Sequence, residues 1–457
     1  MNGPNTMTQQ QLTQEERYLA AFHSFQKNGA DRDPGWVYQL REAAIARFNV
    51  LGFPVARRGN EEWKYTDIRP IATTHFQPAT GPAQLTLPPP ELARLTFGHP
   101  EWSRIVFVDG VHSQQLSALA ALPKGVTVLS LAQALVTHGD MVKQHMARYA
   151  PYESDAFTAL NTAFVHDGAF VQVADGAVVE EPVHLLFLTT GRRQDTVAYP
   201  RVLILTGKNS KATVIESYAA LDEGRSFTNT VTEVRMGPGS VLNYYKVQRQ
   251  SQRAFHVSNT NVFNSTGASF NSVNLDLGGG LVRNNLNVLM GEEGCSCVLN
   301  GLYLLNGTQH VDNQVIIDHT SSYTTASELY KGILDGKSHS VFHGSIIVRK
   351  GIQKVNANQV DKNLLLSDQA EADTKPAFWI YSDDVKCGHG AACGQMDESA
   401  LFYLKSRGMD DNLARRVLTR AFATQVIDSI ENGAFRAAVD QIVQDKLLNW
   451  WEAGESR

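Results

Sequence analysis

Four cysteines among 457 residues are too few to staple a chain of this size, which excludes a disulfide framework and points to a reducing compartment. Positive charge is not in excess: 41 Lys and Arg against 46 Asp and Glu leave a net charge of −5. That balance argues against a general nucleic-acid or anionic-membrane surface. No apolar run approaches the roughly 18 residues that a spanning helix needs. Met1 to Gln11 is polar, without the basic-then-apolar pattern of a secretory leader. A cytoplasmic protein with neither membrane nor nucleic-acid partners is the expectation. Phosphate loops are missing too. Gly237-Pro238-Gly239 and Gly278-Gly279-Gly280 precede neither Lys-Ser/Thr nor a helix signal. Turn glycines explain both, and any ATP hydrolysis must reside in another protein.

What is present is ordinary in bulk, 43% hydrophobic and 19% charged, enough for a large core and two or three domains. Residues 1–150 read as mainly helical. Thr13 and Glu16 form a capping box, Tyr18, Leu19, Phe22 and Phe25 recur on one face, and Asn28-Gly29 closes that helix. A second helix begins near Pro34, with Val37, Leu40, Ala44 and Phe48 in register. Pro88-Pro89-Pro90 predicts a stiff extended connector. Strands are expected at Ser103 to Val108 and Val126 to Leu131, then a helix to Arg148.

Residues 151–392 change texture. Short β-rich runs such as Val183 to Leu188, Thr213 to Tyr218 and Val241 to Val247 alternate with Gly, Asn, Asp and Ser. The pattern predicts an all-β core without an amphipathic helix between Phe157 and Asp384. Asparagines expected at the turns, among them Asn243, Asn261, Asn271 and Asn287, favour stacking across the coils of a parallel β-helix. Residues 393–457 return to helix. Gly408 ends one, Asp410 caps a second carrying Leu413, Val417, Ala421, Phe422, Val426 and Ile430, and Asn432-Gly433 precedes a third with Phe435, Val439, Val443, Leu447 and Trp450.

The chemistry concentrates at Cys387-Gly388-His389-Gly390. On an extended strand, residues 387 and 389 project from one face, a compact place for sulfur or a soft metal. Lys386 lies on the other face, so a protonated His389 is the better partner for lowering the thiol pKa. The bland account is a buried core thiol beside a satisfied histidine. Two ligands are half a closed metal site, and the rest must come from elsewhere in the chain or from a partner. Cys393 follows at a non-zinc spacing and reads as structural; Cys295 and Cys297 read as small apolar filling. His310, His319, His339 and His343 fall in one β region, where stacking on adjacent coils would make them metal candidates.

These residues sit among blocks that resemble the SufB/SufD family of iron–sulfur cluster assembly proteins. The blocks include Glu62-Trp63-Lys64-Tyr65-Thr66, Phe157-x-Ala-Leu-Asn-x-Ala-Phe164, Leu277-Gly278-Gly279 with Arg283, and Gln309-His310-x-Asp312. Tyr330 to Gly336, Gln359 with Asn363 to Ser367, Asp383 to Ala391 and Leu401 to Gly408 complete the series. The resemblance covers most of the chain. Gly388 and Gly390 flank His389 where SufB-like chains tend to carry acidic residues, and no cysteine precedes 295, so the likeness is to the SufD-like members. Phe378-Trp379-Ile380 departs from the acidic or polar centre usual there.

The resemblance implies a right-handed parallel β-helix core flanked by N-terminal and C-terminal α-helical regions. It implies a scaffold without catalytic residues, paired with SufB, or with itself when alone, and bound to the ATPase SufC through its C-terminal helices. Leu401, Phe402, Tyr403, Arg407, Phe422 and Trp450 are the SufC-contact candidates it suggests. His389, with Cys387 beside it, would face SufB, help build a nascent cluster and support iron entry. No tightly bound cofactor is expected on the lone chain; the complex would hold a transient iron–sulfur cluster or iron. Reduced flavin in the complex is implied too, although no Rossmann-type glycine pattern supports it independently. Two other readings compete: a carbohydrate-active β-helix enzyme of the polysaccharide-lyase type, and a stand-alone thiol or metal-binding protein.

Overall fold

Side chains on a strand alternate between faces, so a chain that stacks strand on strand in register builds continuous columns of like residues. Here the columns run through a parallel two-sheet solenoid. The computed structural model describes residues 14–29, 33–57, 60–78, 85–191 and 195–455. Met1 to Gln11 and Thr13 of the expected capping box lie outside them.

The first sheet climbs through Gly168–Val173, Arg201–Thr206, Ser226–Arg235 and Phe255–Asn264, then Leu281–Met290, His310–His319, His339–Val348 and Glu371–Ile380. The second climbs through Val183–Thr189, Lys211–Ala220, Val241–Arg249 and Ser269–Asp276, then Ser296–Leu305, Thr325–Leu334, Val355–Leu365 and Val385–Gly394. One strand from each makes a coil. The lumen between the sheets is filled by Val202, Val214, Phe270, Val311, Ile317, Tyr330 and Phe342, among others. The asparagine stacks exist, but inside strands and not at turns. Asn271 donates to Asn243 at 3.0 Å and Asn287 to Asn261 at 3.1 Å, each pair in register on neighbouring coils.

The N-terminal helices Gln14–Gly29 and Gly35–Leu51 form as expected, and Tyr18, Phe22, Ala44 and Phe48 pack with Phe157, Leu160 and Phe227 against the first sheet. Three expectations fail. A helix does interrupt the β region, at Ala156–Ala163; every residue from Phe157 to Ala163 is buried, the polar Thr158, Asn161 and Thr162 included, so no charged solvent-facing side marks it. The prolines are not an extended connector but a helix start: Pro88 is the N-cap of Pro89–Leu95, since first-turn positions need no N–H donor. The helix expected to reach Arg148 breaks at His138 into Leu131–Thr137 and Gly139–His145.

Two polar clamps tie the N-terminal third to the first sheet. Buried Glu233 pairs with Arg201 and accepts the backbone N–H groups of Ala147, Arg148, Tyr149 and Ala150 at 2.8–3.1 Å, which compensates the desolvated charge. Further along, Arg283 lies 3.8 Å from the Trp63 ring centre, donates to Asp312, and reaches the Glu62 carbonyl at 2.8 Å. Thr66 also donates to Asp312, and Glu61 meets Lys375 at 3.1 Å.

The C-terminal helices Glu398–Ser406, Asp411–Ile427 and Gly433–Glu455 close over the second sheet. Asp410 accepts from Leu413 N at 2.8 Å as the predicted cap, and Gly408 has φ 92°. Val426, Ile430, Phe435, Val439, Val443 and Leu447 bury against Ile215, Tyr245, Leu275, Leu302 and Ile333. The middle helix turns a smaller face inward than predicted. Ala414, Thr419 and Ala423 are buried, while Leu413, Val417 and Ala421 face solvent.

Candidate functional site

The last coil, Glu371–Ile380 with Val385–Gly394, has no strand beyond it in either sheet among the described residues. Most of its residues are exposed or half-buried, and the outer edge of each strand offers free backbone donors and acceptors. Cys387 and His389 lie here, on one face as predicted, and that face is the lumen. Cys387 tops a column of register partners running Cys297, Ala326, Ala357, Cys387, and it packs half-buried on the core. His389 tops the next column, Leu299, Glu328, Gln359, His389. Its exposed ring rests 4.4 Å from that of Phe378, reaching over from the first sheet. The aromatic run that departs from the usual polar pattern therefore supplies one wall of the mouth.

The thiol is not activated. Burial pushes Cys387 above its ordinary value, and the Ala357 backbone N–H offsets this only in part. The expected lowering by His389 does not occur in the lone chain. Cys295 and Cys297 are buried in the lumen core; burial lifts Cys295 to about 11 and Cys297 well above its ordinary value. Cys393 is exposed, at the edge of a cleft of about 360 Å³ shared with Met396, Leu418 and Phe422.

Beneath the mouth lies a polar cluster that sequence reasoning missed. Gln359 Nε2 donates to Glu328 Oε2 at 3.0 Å, and Glu328 is fully enclosed. Burial, with Asp361 nearby, raises Glu328 to about 8. Burial also raises Asp361 to about 6, against the opposing pull of Thr374, Asn363 and Tyr303. Asn363 donates to Asp361 at 2.8 Å and Tyr303 to Asn363 at 2.7 Å. Space for Gln359 requires Gly344, where an added Cβ would fall 1.4 Å from Gln359 Nε2. The one signal available was an acidic residue in a position alternating with Ala326 and Tyr330. Its inward direction depends on pairing with strands about thirty residues away.

The four histidines do not form one stack. His310 and His339 are register partners with ring centres 4.8 Å apart. His319 is buried at the far end of its strand, bonded to Thr324 at 2.7 Å, and burial holds it at about 4. His343 stands beside Lys375 in register and joins neither. Of the candidate contact residues on the C-terminal helices, Phe402, Tyr403 and Arg407 are exposed, with the guanidinium 5.2 Å from the Tyr403 ring centre. Leu401 is buried; Phe422 and Trp450 are half-buried against the body and offer less free surface.

Comparison with known proteins agrees with this architecture. Residues 187–422 match the model described as "SUF system FeS cluster assembly, SufBD core domain", and residues 12–185 match "SufBD protein N-terminal region". An iron–sulfur cluster assembly SufBD family protein of Synechocystis is 31% identical over 89% of this chain and 90% of its own. The SufD proteins of Escherichia coli (26% identical, 91% of this chain, 93% of that one) and Bacillus subtilis (24%, 95% and 98%) are similar over comparable lengths. Neither the carbohydrate-enzyme reading nor the stand-alone metal-protein reading gains support from these relatives. The chain therefore belongs to the SufBD family of the SUF system for iron–sulfur cluster assembly.

Proposed function

We propose that this chain is a SufD-type scaffold subunit. Its open coil would pair with a SufB-type sister, and its C-terminal helices would dock a SufC-type ATPase. The observation that carries the reading is the bare last coil, with Cys387 and His389 at its mouth. An edge of this length, left uncovered, invites pairing with another chain. Phe402, Tyr403, Leu413 and Val417 give the C-terminal helices an exposed apolar patch of the kind interfaces use.

In this reading the chain is not itself an enzyme. Persulfide sulfur arrives on the sister subunit and takes two electrons per sulfur from a reductant, the reduced flavin expected in the complex, to become sulfide. This chain contributes His389, then Cys387, to a nascent cluster held between the two. Iron, as substrate, enters along the same face. The high thiol pKa fits an assembly site that is silent until paired. An arriving metal must displace the Cys387 proton, and His389 can accept a proton or donate its lone pair. ATP-driven closure of the ATPase would shift the paired subunits and open the shared face.

The test is anaerobic cluster reconstitution with SufB and SufC, comparing the native chain with His389→Ala. The expected outcome is a loss of cluster yield of about tenfold or more with the complex still assembled. Undiminished yield would refute the role given to this imidazole.

A further inference from the structure

On the outer face of the first sheet, where the last coil meets the one before it, His339, Glu371 and Asp373 each present one ligand atom, all within 4.8 Å of one another. His339 and Glu371 are register partners, and Asp373 projects from the same side two residues on. That side is the outer one, because the intervening Ala372 and the later Phe378 pack toward the lumen. We propose that these three side chains form a binding site for a divalent first-row transition ion, iron(II), manganese(II) or zinc(II).

The geometry suits such an ion. Donors held about 2.1 Å from one metal lie roughly 3 Å apart when adjacent and roughly 4 Å apart when opposite. His339 Nε2 and Asp373 Oδ2 are 2.8 Å apart, as adjacent ligands would be. Glu371 is exposed and free to close the remaining gap by a rotamer change. One imidazole nitrogen with two carboxylates matches the borderline ions named, against copper(I), which prefers sulfur, and calcium, which takes six or more oxygens. The two carboxylates supply negative charge; the facing cation is Lys64, whose ammonium is bonded to the Tyr65 hydroxyl at 2.8 Å.

His310 supports the site without joining it. Its ring stands edge-on to that of His339, and its Nε2 is 2.9 Å from the Thr66 hydroxyl. The single Thr66 proton goes to Asp312, a carboxylate, so the hydroxyl accepts from His310 and fixes the proton on Nε2. The site is also independent of the Cys387 and His389 reading. Asp373 precedes Phe378, the residue touching His389, by five positions, roughly 17 Å of extended strand, and faces the other way.

The test uses the full chain, stripped with chelator and titrated anaerobically with iron(II) by calorimetry and with cobalt(II) as an optical probe. One ion should bind. His339→Ala and Asp373→Asn should each weaken it by more than the roughly tenfold that even an outer-shell change costs. Glu371→Gln, at an exposed position that cannot unfold the coil, should weaken it too. A Cys387→Ala/His389→Ala chain should bind as the native one does. The proposal is overturned if the native chain takes up no ion, which would make His339 and Asp373 a simple ion pair. It is equally overturned if binding survives both His339→Ala and Asp373→Asn, or if cobalt shows a thiolate charge-transfer band.

Discussion

The two ends of the solenoid are built on opposite plans. At the first coil, Gly168–Val173 is covered by the antiparallel strand Val126–Ser130, and Val183–Thr189 by the parallel strand Arg104–Val108. Phe107 and Phe187 stack across that cap with ring centres 4.8 Å apart, and nearly every residue of the first coil is buried. At the last coil the same two sheets stop, and their final strands lie largely in the open. A parallel strand edge is a hazard to a protein that lives alone. The chain spends its N-terminal strands on one edge and leaves the other bare, so the bare end reads as an interface and the sealed end as a foundation.

Substitutions should separate the two. Phe107→Ala, at the sealed end, should cost about 3–5 kcal/mol, read as a lower denaturant midpoint; a change under 1 kcal/mol would mean the cap is not part of the core.

The ends should also respond oppositely to pH. Near the open end, Glu328 is raised from 4.5 to about 8, so the folded state keeps a proton that the unfolded chain has lost. Its effect is to lower stability as pH rises across that window. At the sealed end, burial lowers His184 from 6.5 to about 3, with Arg249 and Arg104 adding to the effect, so its contribution is lost as pH falls below 6.5. Glu328→Gln should therefore raise the urea midpoint more at pH 8 than at pH 6. An equal change at both would show that Glu328 is ionised in the folded protein.

The smallest effect on stability, within about 0.5 kcal/mol, is expected for Trp379→Arg on the exposed last coil. Its consequence should appear in sedimentation with a SufB-type partner, as weakened pairing. If pairing is untouched, this part of the edge lies outside the interface.

Period-two alternation is a local signal, which is why the shared face of Cys387 and His389 could be read from four consecutive residues. The strands Val183–Thr189 and Val241–Arg249 were legible from another local signal, short β-rich runs bounded by turn residues. Glu328 and Asp361 were not, because a residue's inward position in a solenoid is set by register with neighbouring coils. Ala156–Ala163 escaped for a different cause: it is short, and its polar stripe of Thr158, Asn161 and Thr162 is buried against Arg201 and Asn259 with no solvent-facing charge to mark it. The misread face of Asp411–Ile427 shows the converse. Its larger apolar residues Leu413 and Val417 stay outside, and alanines make the close approach to the sheet.

The clamp around Arg283 sets an order on synthesis. Glu62 and Trp63 leave the ribosome early, yet the guanidinium that holds them follows 221 residues later. At ordinary elongation rates that is a delay of roughly 10–40 s. For that interval the Trp63 indole can pack on Phe157 but lacks the cation that covers its face, and the N-terminal third cannot be clamped in its final place until the coils that carry Arg283 and Asp312 have been made.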